Sequence, residues 1–256
     1  MDINNNFFLY LVGFFAGIYL FIKGLLWFRE KRLIEDIPTS TVRSIAMGLV
    51  EVNGIALPFK QSILRGPFIK KDCVHYKCTV EKLVKSGKSS HWELINTEEK
   101  GDYFYLQDET GKVLVKVKDA EYKVPADFEL QTGGFLQEGL PDSLKEYLEA
   151  EGIKAKDFFG FSYSFRFYEY DIEVGDKLYL LGTAGKNPYD DPNVFEADAE
   201  HVMIQKGDNN DRFIISEKSE KEILTELTRN SLLGIIGGGG LSIVCLFFLL
   251  MFFELL

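Results

Sequence analysis

Cys73, His75, Cys78 and His91 are the nearest thing in the sequence to a metal-ligating or nucleophilic cluster. In an extended strand Cys73 and His75 share a face while Cys78 points the other way. That arrangement suits no common zinc pattern, so no metal is expected, and the two thiols read as small buried strand residues. Residues 182–187 (GTAGKN) approach a phosphate loop. The glycines are too close together and the closing hydroxyl is missing, so a turn after a strand is expected there instead. Acidic residues gather at Asp190, Asp191, Glu196, Asp198 and Glu200. They lack the glycine and terminal glutamate of a calcium loop and read as a solvated loop. No G-x-S-x-G or H-E-x-x-H pattern is present. The expectation is therefore no catalytic residue, no cofactor and no metal.

The elements that would position these residues are mainly strands. Asn53-Gly54 is a hairpin signal between residues 42–52 and the apolar residues that follow. Residues 73–84 and 91–97 are strand-like and joined by Ser86-Gly87-Lys88-Ser89. Residues 103–106 and 113–117 flank the turn Asp108-Glu109-Thr110-Gly111. Phe159, Phe161, Tyr163, Phe165 and Phe167 all fall on odd positions, a period-two strand with an aromatic inner face. Residues 178–181 and 194–204 suggest further strands. Two helices are expected. One spans 141–151 with Leu144, Tyr147 and Leu148 on one face and Gly152 as its stop; the other opens with Ser219 and Glu222 as a capping box.

The most apolar sequence lies at the ends. Residues 7–28 carry a single charge, Lys23, and residues 231–253 carry none. At about 1.5 Å per residue each helix would be a little over ~30 Å long, enough to cross a hydrocarbon core. No basic residue precedes the first run and no A-x-A follows it, which favours a retained anchor over a cleaved signal. No breaker separates the capped helix from the second run, so one helix should enter the membrane. The fold class expected is α+β: a β-rich, barrel- or sandwich-like domain over 29–230 between transmembrane helices 7–28 and 231–253. Gly13 and Gly17 in the first span, and Gly234 and Gly238 in the second, have the spacing that lets helix backbones approach closely. The partner of that approach is either the other span or a second copy of the chain.

Arg29, Lys31, Arg32, Arg43, Arg212, Lys218, Lys221 and Arg229 all lie on the domain side of the spans, and the outer flanks carry no Lys or Arg. The domain is thus expected in the cytoplasm, with both termini outside. The absence of an N-x-S/T sequon agrees with that orientation. Arg29, Lys31 and Arg32 could attract anionic lipid. The formal net charge is −10, from 39 acidic and 29 basic residues. Such a chain lacks the basic surface that replaces counterions on a phosphate backbone, so nucleic acid is not an expected partner and the aromatic strand reads as core. The bilayer and an unidentified protein are the partners expected.

Four segments carry a family resemblance in the same order. Residues 38–54 (PTSTVRSIAMGLVEVNG), including Gly48, look like the opening of the membrane-side domain of GIDE-type E3 ubiquitin ligases, the mulan-like mitochondrial and chloroplast proteins. Cys73-Val74-His75-Tyr76-Lys77 is similar to the C-x-Y-Y-R strand, with Cys73 and Tyr76 as matching positions. Residues 104–115, with Asp108 and Gly111, resemble the F-x-L-x-D-x-T-G-x-V-x-V hairpin. Residues 174–182, with Gly175, Asp176 and Gly182, resemble V-G-D-x-V-Y-V-L-G. The resemblance implies a non-catalytic domain engaged in sensing or partner binding, facing an intermembrane space, with ligation performed by a RING module after the second span. A RING needs eight Cys/His ligands, whereas this sequence has three Cys and three His and no C-x-x-C. The expectation is a RING-less relative: a membrane scaffold, or a subunit of a ubiquitin-type ligase whose RING is on another chain.

Overall fold

The computed structural model describes residues 3–87, 89–132, 140–155, 163–189, 201–208 and 212–252. Lys88, Phe159, Phe161 and the acidic residues 190–200 lie outside the described residues. The helices are α1 (Ile3–Glu35), α2 (Asp142–Ala150), α3 (Glu220–Leu232) and α4 (Gly239–Phe252), the last two joined by a π-helical turn at Leu233–Gly238. The described strands are β1 (Thr39–Ser40), β2 (Gly48–Pro58), β3 (Leu64–Arg65), β4 (Asp72–Ser86), β5 (Ser89–Lys100), β6 (Tyr103–Gln107) and β7 (Lys112–Lys116). They continue as β8 (Glu121–Lys123), β9 (Phe128–Gln131), β10 (Phe165–Glu173), β11 (Lys177–Lys186), β12 (Val202–Gln205) and β13 (Ile214–Ser216). The chain divides into two compact units, one of the helical ends and one of Thr39–Glu217.

In the β unit, β2 pairs with β6, β6 with β7, β7 with β12, β12 with β11, and β11 again with β2. That ring is a closed five-stranded barrel, which leaves these strands without free edges. Val52, Phe104, Leu106, Val113, Val115, Leu180 and Ile204 fill it. A second sheet, β3-β4-β10-β9 with β5 on β4, is covered by α2. Leu144 and Leu148 of α2 pack with Phe165, Phe167, Val80 and Phe68. The fold is α+β with a barrel-containing, β-rich middle.

The Asp108 turn forms as expected between β6 and β7, and β4 and β5 meet at Ser86–Ser89. Asp108 accepts from the backbone N–H groups of Val42, Thr110 and Gly111. Three expectations fail. Asn53-Gly54 is not a turn: β2 runs straight through it, and residues 42–44 form a 3-10 turn ahead of the strand. A Cβ at Gly54 would stand 2.6 Å from the Gln107 carbonyl oxygen, so the glycine admits the neighbouring strand. Residues 182–186 are likewise strand and not a turn, with Gly182 tucked against Ile204 and Phe213. The third failure, at Cys73, is a change of face described below.

In the helical unit, Ser219 and Glu222 form the reciprocal capping box at the start of α3. α1 and the α3–α4 run are both long and apolar enough to cross a membrane. The sequence glycines meet within the chain. A Cβ on Gly17 would lie 2.7 Å from the Gly238 carbonyl oxygen, and one on Gly13 would lie 2.6 Å from Cys245 Sγ. Gly24, which the spacing argument did not single out, meets Gly234 in the same way. The π turn sits at this contact, where glycine lets the backbones touch.

Candidate functional site

The inner face of β10 begins as the aromatic alternation predicts, with Phe165 and Phe167 buried, and then changes chemistry. The next two positions of like parity are Glu169 and Asp171, only 0 % and 1 % exposed. Burying two carboxylates side by side is costly unless they are hydrogen-bonded or protonated. The segment between β3 and β4 supplies part of the compensation. Phe68 N–H donates to Glu169 Oε2 at 2.5 Å and Ile69 N–H to Oε1 at 3.2 Å. Phe68 fixes that segment by packing edge-on against Tyr147 and Phe167. Gly66 lies so close to Glu169 Oε1 that a Cβ there would collide with it.

Asp171 receives no such donor: neither carboxyl oxygen has a hydrogen-bond partner among the described residues, and Glu169 is its neighbour on the same face of the strand. Burial, and then the negative charge of Glu169, raise the Asp171 carboxyl well above the carboxylate range. Burial raises Glu169 as well, against the two backbone donors. With both carboxyls raised, one proton held between them would relieve the repulsion of two buried charges. More acids stand around them. Asp127 Oδ2 accepts from Asp171 N–H, Asp176 Oδ2 accepts from Glu173 N–H, and Glu173 pairs with Lys71 at 2.5 Å. Burial raises Asp176 and Glu217 too, reinforced by neighbouring carboxylates.

The sequence-predicted residues divide around this sector. Cys73 pairs with Glu173 and Cys78 with Glu169, positions of like parity on β10, while His75 pairs with Ile172 across a β-bulge. The bulge inserts an extra residue, so Cys73 lies with the carboxylates and does not share the face of His75, reversing the expectation. Burial, with Asp171 and Glu169 nearby, pushes the Cys73 thiol up to about 12. Burial raises Cys78 to about 11, where it contacts the Tyr147 hydroxyl. Neither is a thiolate near neutrality. His75 is 2 % exposed, and its Nδ1 meets the Gly101 carbonyl at 3.0 Å and its Nε2 the Tyr122 hydroxyl at 2.8 Å. Those partners assign the proton to Nδ1, and burial lowers the ring's pKa, so it is a neutral structural group. His91 is exposed on β5 opposite Val84 and is not brought to the other three. Among the described residues, no group of three or more His, Cys, Asp or Glu is placed to hold a metal ion.

The family-motif positions serve the framework. Gly48 opens β2 with φ +115°, and Gly175 turns β10 into β11 with φ +99° while its N–H bonds the Ala56 carbonyl. Asp176 caps that turn, and Tyr76 donates to Glu98 at 2.7 Å. Sequence reasoning missed Glu169 and Asp171. The signal was available, because the odd-position alternation of 159–167 runs on into 169 and 171.

The class defined by the fold is a barrel-containing β unit placed in the chain between two helices long and apolar enough to cross a membrane. The family model for GIDE, described as E3 ubiquitin ligase, matches residues 75–250, and the chain belongs to that family. No curated protein and no solved structure matches the chain.

Proposed function

We propose that the chain is a membrane-anchored, non-catalytic interaction or scaffold protein of the GIDE family, with its β unit presented to a protein partner. The observation that carries this reading is the covalent layout: one folded β unit held at both ends by helices of spanning length. The basic residues beside both spans support a cytoplasmic β unit with the two termini on the other side. The buried, protonated thiols and the doubly bonded His75 support framework roles for the residues that could otherwise do chemistry. The family's E3 ligase description favours a second reading, a subunit that works beside a RING on another chain. Proximity labelling in intact membranes, with tags at each terminus and in the β unit, tests both. A reproducible set of neighbours labelled from the β unit supports a scaffold, with E2-like or RING proteins among them supporting the second reading. Labelling of the β unit and the termini from the same side refutes the topology.

A further inference from the structure

Beyond the glycine contact of α1 with the π turn, α1 and α3 line an open cleft of about 690 Å³. Gly24 and Gly234 are in backbone contact, so Arg229 lies ~8 Å and Lys31 ~10 Å beyond the crossing at 1.5 Å per residue. Both line the cleft, one from each helix, and both mark the level where their helices leave the apolar runs. Thr225 and Thr228 and, about two turns further out, Lys221 add to the polar wall, which also carries the carboxylates of Glu35 and Glu220. Leu224 and Leu232 supply apolar lining, and Leu232 is 57 % exposed, continuing onto the bare span residues Leu233 and Ile236.

The charges of the cleft are unequally used. Lys31 pairs with Glu35 at 3.2 Å on the same helix, a contact of small worth at an exposed surface. Among the described residues, neither Lys221 nor Arg229 has a carboxylate within salt-bridge distance. Three cations thus stand against two carboxylates in the lining, and since Glu35 is engaged by Lys31, the cleft keeps a positive excess at Lys221 and Arg229 above an apolar floor that continues onto the exposed apolar helix surface. An anionic group carrying acyl chains matches both parts at once, the phosphate at Arg229 and Lys31 and the chains along Leu232 and Ile236.

We propose that this cleft binds the headgroup of an anionic phospholipid from the surrounding leaflet. The proposal rests on the reading that both helices cross a bilayer. The chain has two tryptophans, Trp27 one turn of α1 below Lys31, and Trp92 on β5. Full-length Trp92→Phe protein in vesicles reports on Trp27 alone. Brominated phosphatidylglycerol should quench Trp27 more than brominated phosphatidylcholine at equal mole fraction, and the excess should fall with salt. Lys221→Gln with Arg229→Gln should remove the excess, roughly fivefold in relative occupancy per cation, while quenching by the neutral lipid stays the same. Arg29→Gln removes an exposed cation near the same level that does not line the cleft, and should keep the excess. Equal quenching by the two lipids, an excess that survives the double substitution, or an equal loss with Arg29→Gln overturns the site and leaves the spans standing. Absence of quenching by either lipid overturns the spanning reading and the site together.

Discussion

The raised, buried carboxyl of Asp171 beside Glu169 makes a quantitative prediction for Asp171→Asn. An amide has nearly the shape of a protonated carboxyl, and its N–H can donate to Glu169. In the folded chain Asp171 is raised from an ordinary 3.8 to about 8, by burial first and by the Glu169 charge second. An acid whose folded pKa lies above its unfolded pKa keeps a proton that the unfolded chain has released. Its stabilising contribution is complete below about pH 4 and is lost as pH rises toward 8. About four units at about 1.4 kcal/mol each set an upper bound of about 6 kcal/mol, counted once because the two carboxyls titrate as a pair. The amide does not titrate, so the variant escapes this loss. Near-ultraviolet circular dichroism melts of the full chain in nanodiscs, from pH 4.5 to 8.5, read the effect. The variant should match the parent at pH 4.5 and melt roughly 5–15 °C higher at pH 8.5, given about 2–4 °C per kcal/mol for a unit of this size. A residual slope should remain, because Asp176 and Glu217 are also raised by burial. An unchanged pH slope, or a variant less stable by the same amount at every pH, would refute the raised Asp171 carboxyl.

Three further outcomes follow from contacts in the structure. Gly13→Cys places a Cβ 3.9 Å from that of Cys245, within disulfide range, so mild oxidation in membranes should give an intramolecular crosslink that migrates as a monomer. A crosslinked dimer as the sole product would instead assign the glycine faces to association between chains. Gly54→Ala should lower the stability of the β unit by about 1–3 kcal/mol through the clash with the Gln107 carbonyl, read as a drop in melting temperature. Cys73 and Cys78 should resist iodoacetamide in the folded protein at pH 8 and react fully in denaturant, followed by mass spectrometry; rapid labelling of either in the folded state would contradict their burial.

Local features were the ones legible in the sequence. The α3 capping box depends on two residues of one turn, and the Asp108 turn closes on its own side chain, so both could be read from short windows. The aromatic face of β10 was legible for the same reason, since alternation needs only one strand. Asn53-Gly54 misled because its glycine answers to a neighbour far along the chain, the carbonyl of Gln107. Cys73 changed face because a bulge alters strand parity, and the bulge is visible only once β4 and β10 are paired. Glu169 and Asp171 were hidden by charge. Carboxylates in a strand ordinarily mark its solvent face, and here the Phe68 and Ile69 amides and raised carboxyl pKa values go with the opposite. Gly24 escaped because its partner Gly234 lies on another helix, so no single-helix spacing identifies it.

The reading of a membrane-anchored interaction domain is tested most directly by ubiquitin transfer from a charged E2. The full chain reconstituted in proteoliposomes, supplied with E1, ubiquitin, ATP and a panel of E2 enzymes, should leave E2–ubiquitin discharge at its chain-free rate. Discharge that rises with the concentration of the chain, and persists in the purified protein without any second subunit, would contradict the account.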